Sequence, residues 1–165
     1  MAGTYSGTYR PKNVTKYSGD HTNVVYRSLW EKYCFKWCDM NSDIESWSSE
    51  EVVVPYRFMI DKRVHRYFID LKIKFKDGRT ILVEIKPHSQ TLPPKQPQRK
   101  TKRYLEESLT YVKNQNKWDA AEKYAKERGW EFQIWTEREL EKMGIMPKSR
   151  KGLKKLPAFP NKKKK

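Results

Sequence analysis

Cysteine is scarce in this 165-residue chain, which contains only Cys34 and Cys38. Their spacing places both on one face of a helix, and two thiols are too few for a zinc site. In a reducing compartment a disulfide between them is not expected. We therefore predict two free thiols that line a hydrophobic core.

Long apolar runs are also missing. No segment is apolar over enough residues to span a bilayer, and we identify no signal peptide. We expect a soluble protein made in a cytoplasm. Hydrophobic residues make up 36% of the chain, whereas the aromatic set of 6 Trp, 10 Tyr and 6 Phe is large. One domain with a small, aromatic-rich core and solvated tails is expected.

Acidic residues are absent from the last part of the chain. The segment Lys142–Lys165 holds ten Lys or Arg and no Asp or Glu, which is ten of the sixteen net positive charges. Cationic side chains displace counterions from phosphate backbones, so this balance implies a polyanionic partner. The segment also contains three prolines, and we expect it to be unstructured when free. Membrane binding is disfavoured because no long amphipathic helix accompanies the charge.

The stretch Tyr67–Pro87 predicts two β-strands joined by a tight turn. A two-residue turn at Asp77 and Gly78 would set polar residues opposite apolar ones. A three-residue turn over residues 76–78 instead gives Gly78 the left-handed position that it tolerates. All apolar residues then share one face, which should select this register. The predicted pairs are Ile73 with Ile81, Leu71 with Val83, and Ile69 with Ile85.

This register sets Asp70 directly opposite Glu84, with Lys86 beside them. Opposed Cβ atoms lie about 4.5–5.5 Å apart. Two carboxylates that close repel each other unless one is protonated or a cation lies between them. Mg²⁺ binds carboxylate oxygens together with water and phosphate. A charged face that simply points to water is the alternative, and we favour the site for this set of three.

Upstream of the hairpin, residues 1–20 have no visible period and predict an extended arm. A helical stripe follows from Asn23 to Met40, with Asn23 as the cap at the start and Asn41 at the end. On it, Glu31 either lies near a site or is exposed and pairs with Arg27; taken alone, the ion pair is favoured. Residues 42–51 predict an acidic connection, and a strand begins at Val52 and turns over residues 61–63.

Downstream, His88–Arg103 contains three prolines and a set of cations without any acid. This loop either binds DNA phosphates or is a solvated connection, and we favour the first interpretation. Those cations are Lys95, Arg99, Lys100, Lys102 and Arg103.

Residues 102–128 predict one long helix, or two helices divided at the polar segment 114–117. Lys117 or Gln115 either reaches the site from this helix or belongs to a surface polar patch. A strand over Trp130–Trp135 and a capping box from Thr136 to Glu139 follow. A strand reached through a long helix is usually parallel to its neighbour. The sequence therefore predicts a mixed sheet with helices on its faces.

Longer runs carry a resemblance that extends from the arm to about Leu140. They are Val25–Glu31, Trp47–Glu51, Pro55–Arg57, His65–Phe68, Glu84–Pro87, Gln90–Pro94, Lys117–Ala121 and Gly129–Trp130. Together they resemble the head-completion nucleases of T-even-like tailed bacteriophages, within the PD-(D/E)xK, or restriction-endonuclease-like, superfamily.

The resemblance implies that Asp70 and Glu84 bind a metal, Mg²⁺ or Mn²⁺, and that Lys86 is the catalytic lysine. It also makes Glu31 a catalytic acid and a further metal ligand. The superfamily usually has Pro before the aspartate, where this chain has Ile69. Because Asp70 itself is present, we do not infer a loss of activity.

The resemblance further implies an α/β (α+β) fold and a nuclease domain over residues 21–143. The composition adds an arm over residues 1–20 and a basic tail over residues 144–165, and the tail lies beyond the resemblance. The expected activity is metal-dependent cleavage of DNA during phage head completion, near the portal and in contact with portal or neck proteins. That places the protein in the host cytoplasm during assembly, or with the virion. The alternatives are a DNA-binding neck protein without activity and a transposon-end or repair nuclease. Besides the loop, the residues expected to bind DNA are Lys117, Lys154 and Lys155.

Overall fold

The computed structural model describes residues 5–148, and a four-stranded mixed sheet lies at the centre of that part of the chain. The strands are β1 (Gly7–Tyr9), β2 (Val24–Tyr26), β3 (Ile44–Ser48), β4 (Val53–Phe58), β5 (Arg63–Phe68), β6 (Leu71–Phe75), β7 (Thr80–Ile85) and β8 (Glu131–Trp135). The helices are α1 (Leu29–Met40), α2 (Lys102–Glu127) and α3 (Glu137–Lys142), with short 3-10 turns at Val14–Lys16 and His88–Thr91. The central sheet has the order β3–β6–β7–β8, while β1–β2 and β4–β5 form two separate pairs.

The register of the β6–β7 hairpin is as the alternation predicts. Leu71 lies opposite Val83 and Ile73 opposite Ile81. The turn has three residues, and Gly78 adopts the left-handed conformation with φ of 95°. The apolar face of this hairpin packs against α1 and the N-terminal segment in one continuous core.

The third predicted pair, Ile69 with Ile85, is wrong. The β6–β7 ladder begins at Leu71. The N–H of Ile69 donates to the carbonyl of Val52 at 3.0 Å, and its carbonyl accepts from the N–H of Glu50 at 3.0 Å. The chain therefore leaves the small β4–β5 sheet and enters the central sheet at Ile69 and Asp70, where the sequence predicts a single continuous strand.

The crossover from β7 to β8 follows the prediction. The strand β8 is parallel to β7, and α2 is one unbroken helix of 26 residues that covers the opposite face of the sheet from α1. Gly129, with φ of 71°, follows the end of that helix. Thr136 and Glu139 form the predicted capping box at the start of α3. No helix within residues 5–148 is long and apolar enough to cross a membrane.

The N-terminal segment is folded onto the domain, which differs from the expected arm. Val24–Tyr26 forms a strand with Gly7–Tyr9, so α1 begins after Ser28, whose side chain caps it, and not after Asn23. Tyr17 is 6% exposed. The buried carboxylate of Asp39 accepts hydrogen bonds from the Tyr9 hydroxyl at 3.0 Å and from the Lys12 N–H at 2.8 Å. These contacts tie residues 7–17 to the domain and place Tyr17 in the core.

The segment 42–51, expected as a connection, contains the edge strand β3. It pairs antiparallel with β6 and carries Trp47, which is 1% exposed. The indole packs against Phe35 and Tyr17, with ring centroids 5.4 and 4.8 Å away. Cys34 and Cys38 are free thiols in the same core, as predicted.

Candidate active site

Asp70 and Glu84 lie side by side at the end of the β6–β7 ladder. Asp70 follows β5 by two residues, and its Oδ2 accepts a hydrogen bond of 2.8 Å from the N–H of Ile85. Burial raises the pKa of Asp70 well above its ordinary range, and the Glu84 carboxylate adds to that rise. The two groups thus form the close acidic pair that the register predicts.

Glu84 is held from two sides. The side chain is buried, with 6% exposure, and it accepts a hydrogen bond on Oε2 from the Tyr67 hydroxyl. Its other oxygen, Oε1, lies 3.3 Å from Nζ of Lys86. The predicted Glu-x-Lys pair is therefore an ion pair, and Lys86 lies directly beside the carboxylates.

Lys117 reaches this region from α2, in agreement with the first of its two interpretations. Its Nζ lies 5.4 Å from the centre of the Tyr67 ring and 5.9 Å from that of Tyr56. Burial lowers the pKa of Lys117, and the nearby charge of Glu84 opposes that change. A second, partly desolvated cation thus lies next to the tyrosine that holds Glu84.

Glu31 lies close enough to the pair to add to the rise in the pKa of Asp70. Its own carboxylate accepts a hydrogen bond of 3.0 Å from the N–H of Arg27 at the start of α1. Burial raises the pKa of Glu31. The guanidinium of Arg27 instead forms an ion pair with Glu50, so the exposed Arg27–Glu31 ion pair is not formed. Whether Glu31 is a metal ligand stays a prediction.

The donor set fits a hard divalent cation. Within residues 5–148 no group of three or more His, Cys, Asp or Glu side chains is arranged to hold a metal ion. Mg²⁺, however, is commonly bound through one or two carboxylates, with water and substrate phosphate completing its shell. Asp70 and Glu84 supply two such carboxylates in a setting where repulsion favours a cation.

Comparison with known proteins identifies the family of the chain. Residues 41–137 match the family described as TnsA-like endonuclease, N-terminal. The chain belongs to the TnsA-like endonuclease family. It is also 42% identical over 145 residues to the head completion nuclease of Enterobacteria phage T4, covering 86% of this chain and 97% of that protein. The observed mixed sheet flanked by helices is the restriction-endonuclease-like fold that the sequence predicts.

The part that matches the TnsA-like endonucleases includes Asp70, Glu84 and Lys86 but ends short of both termini. Glu31 precedes it, and only the longer similarity to the phage protein extends beyond residues 41–137. Lys154 and Lys155, predicted to bind DNA, lie outside the described residues.

A cleft of about 730 Å³ separates the loop after β7 from the first half of α2 in this TnsA-like endonuclease. Residues from both sides line it, among them Gln90, Leu92, Arg103, Tyr111 and Asn114. Of the loop cations predicted to bind DNA, Lys95, Arg99 and Lys100 are exposed. Lys102 and Arg103 form ion pairs within α2, with Glu106 at 3.8 Å and Glu107 at 2.8 Å. Because Lys102 and Arg103 are 90% and 87% exposed, all five cations can reach phosphates, and their contact with DNA stays a prediction.

Tyr67 is the site residue that the sequence analysis does not single out. Its signal is present in the alternation of β5, where Tyr67 points inward while its neighbours Arg66 and Phe68 are exposed. A tyrosine on an inner face is usually explained by packing alone, since its hydroxyl finds a partner wherever one is near. Only the hydrogen bond to Glu84 gives it a role in the site.

Proposed function

We propose that this protein is a divalent-metal-dependent DNA endonuclease that acts in phage head completion. The main observation behind the proposal is that Asp70 and Glu84 lie close together beside Lys86. Membership of the TnsA-like endonuclease family supports nuclease activity. The name of the T4 relative, head completion nuclease, supports the setting, because the similarity covers 97% of that protein.

Asp70 and Glu84 would hold Mg²⁺ or Mn²⁺, with Glu31 nearby as a further acid. Lewis-acid polarisation of the phosphate and acidification of water are the chemistry that such an ion supplies when bound. Tyr67 fixes one oxygen of Glu84, which limits how the carboxylate turns. The ammonium of Lys86 stabilises negative charge that develops on the scissile phosphate or orients the attacking water.

The exposed cations of the loop, Lys95, Arg99 and Lys100, bind the phosphate backbone without reading the base sequence. Portal or neck proteins are the proposed partners, and trimming of packaged DNA or of its ends near the portal is the proposed task. The protein would then act in the host cytoplasm during assembly, or with the virion.

The test is cleavage of linear and circular duplex DNA by the purified protein with Mg²⁺ or Mn²⁺, and with EDTA. Cutting is expected when Mg²⁺ or Mn²⁺ is present and is not expected in EDTA. Glu84→Ala and Lys86→Ala should abolish it while DNA affinity stays nearly unchanged. Lys74→Ala is a matched control, because this exposed lysine lies on β6 and pairs with Glu45 at 3.2 Å, outside the site. Intact DNA that is nevertheless bound would point to the non-catalytic neck protein.

Metal binding has a readout that does not depend on activity. A ligand that binds only the folded state raises the unfolding temperature, by an amount that grows with the logarithm of its concentration relative to its Kd. Mn²⁺ should raise this temperature for the natural protein and for Lys74→Ala, but not for Glu84→Ala. An equal rise in the unfolding temperature of all three proteins would mean that the ion binds outside this site.

The family description favours one second candidate, a nuclease that cuts transposon ends. Both candidates use the same site, so cleavage assays on plain duplex do not separate them. Co-purification does: portal or neck proteins are expected for head completion, and a transposase for the other.

A further inference from the structure

The turn of the β4–β5 hairpin presents two adjacent apolar side chains to water. Met59 is 68% exposed and Ile60 is 58% exposed. Isolated exposed apolar residues are common on protein surfaces, but two neighbours at the end of a hairpin form a small apolar tip. We call Met59 and Ile60 the tip.

The tip is fixed by hydrogen bonds on both sides. The N–H of Met59 donates to Oδ1 of Asn116 on α2 at 3.0 Å. The N–H of Lys62 donates to the carbonyl of Phe58 at 2.8 Å, and that of Arg63 to Oδ1 of Asp61 at 2.8 Å. The two apolar side chains are therefore held outward by a defined turn that is anchored to the long helix.

The surroundings of the tip are strongly basic. Between Val53 and Phe68 the only acid is Asp61, and that carboxylate lies 2.6 Å from Nε2 of His65. The register sets Arg57 opposite Val64 and Pro55 opposite Arg66, so two arginines lie on the outer face of the hairpin. All the cations of this hairpin are exposed: Arg57, Lys62, Arg63 and Arg66. An apolar tip within a cationic surface is complementary to duplex DNA, which offers phosphates outside and stacked bases within.

The same hairpin leads directly into the site. Its inner face carries Tyr67, which donates to Glu84. From Lys62 to Tyr67 the strand advances about 16 Å at about 3.3 Å per residue. At about 3.4 Å per base step, this reach allows a separation along a duplex of at most about five base pairs between the tip and the carboxylates.

We propose that the tip inserts Met59 and Ile60 as a wedge between base pairs of duplex DNA, within about five base pairs of the cut, while Arg57 and Arg66 contact phosphates. This inference rests on the proposed function. The expected substrates are duplexes in which neighbouring base pairs unstack at a low cost in free energy, as at flexible pyrimidine–purine steps, nicks and ends. Rigid A-tracts are expected to be cut slowly.

The experiment uses 2-aminopurine, a base whose fluorescence rises when it is unstacked, at successive positions along a duplex. Asp70→Asn in the full chain prevents cutting during the measurement. A single nick in the duplex, one of the favoured sites, fixes the position of the protein. Binding should then raise the fluorescence near the nick and leave distant positions unchanged. Adding Met59→Ser with Ile60→Ser should remove that rise. Leu105→Ser, on α2 and 52% exposed, is the matched control and should leave the rise intact.

The arginines are tested by the salt dependence of affinity. Arg57→Ala with Arg66→Ala should lower the slope of log affinity against log salt by about 2, because each lost phosphate contact lowers it by about 1. The double serine variant should leave this slope unchanged. An unchanged slope in the arginine variant would remove these residues from the interface and overturn that part of the proposal.

Two outcomes would overturn the wedge. One is bound DNA without any rise in fluorescence, and the other is a rise that persists in the double serine variant. If that variant also has a lower molar mass by light scattering, the tip is a contact between copies of this chain. Normal DNA cutting alongside either outcome would contradict the wedge but not the proposed nuclease activity. A rise in fluorescence without any cutting by the natural protein would contradict the proposed function but not the wedge.

Discussion

The two faces of the β6–β7 hairpin are built from the same strands and differ in nearly everything else. One face carries Leu71, Ile73 and Val83, each 0% exposed, against α1 and the N-terminal segment. On the other face Leu82 packs towards α2, and Glu84 is buried with Tyr67 and Lys86 as its partners. Alternation along a strand thus separates a purely apolar layer from one that holds charge.

The difference shows how the fold holds a costly site. Burial of apolar surface stabilises the folded state by about 25 cal/mol for each Å² removed from water. Burial of charged groups costs free energy that their mutual attraction often fails to recover. Burial of the apolar face offsets the cost of burying charge on the other face. Substitutions on the charged face should therefore lower activity and not stability, and substitutions on the apolar face should lower stability and not activity.

The largest effect is expected from Asp70→Asn on the charged face. Loss of this carboxylate should slow DNA cutting by about 10²–10³-fold or more, a range typical of removing one group that stabilises charge in the reaction. Stability should stay equal or rise, because the repulsion with Glu84 is relieved. Cleavage rates and urea unfolding measure the two effects. Asp77→Asn, an exposed aspartate in the turn, should change neither.

Ile73→Ala on the apolar face should do the reverse. The cavity should lower the free energy of unfolding by about 2–5 kcal/mol. Cutting per folded molecule should be retained at a temperature where the variant is folded. Val64→Ala, at an exposed position of the β4–β5 hairpin, should change the free energy of unfolding by less than about 0.5 kcal/mol. A catalytic defect in folded Ile73→Ala would mean that the two faces are not independent.

Tyr67→Phe should have an intermediate effect confined to the charged face. The variant loses the hydroxyl that holds Glu84 but keeps the ring over which Lys117 lies. Cutting should fall about tenfold, the kinetic equivalent of one hydrogen bond to a charged group of about 1.4 kcal/mol. Tyr56→Phe is the matched control, because it also removes a hydroxyl from a ring over which Lys117 lies. Equal losses in both variants would assign the effect to packing.

The smallest effect is a pH dependence of stability in EDTA. Since the pKa of Asp70 is raised in the folded state, the folded protein binds more protons than the unfolded chain between the ordinary and the raised pKa. Stability should therefore fall as pH rises through that window. Asp70→Asn should remove this part of the slope in urea unfolding. A stability that rises with pH across the window would contradict the shared burial of the two carboxylates.

The same alternation explains what the sequence can predict. Four apolar residues on β6 and β7 fit one face only in the register with a three-residue turn, so the meeting of Asp70 and Glu84 follows from local pattern. The capping box at Thr136 and the parallel β8 are likewise set by short-range rules.

What the pattern misses depends on distant partners. Gly7–Tyr9 and Val24–Tyr26 are three residues each and acquire strand structure only by pairing with one another. Ser42–Glu51 is polar except for Ile44 and Trp47, which are enough to bury one side of an edge strand. Tyr67 gains its role from Glu84, 17 residues later in the chain. Such relations are tertiary, and composition or period does not encode them.

The passage of the chain between two sheets at Ile69 has a mechanical consequence. Tyr67 belongs to the β4–β5 hairpin, whereas Glu84 is carried by the central sheet and Asp70 is tied to that sheet by the N–H of Ile85. A rotation of the hairpin against the central sheet would therefore change the contact between the Tyr67 hydroxyl and Glu84 and leave the two carboxylates together. A load applied to the hairpin would reach the site through that tyrosine.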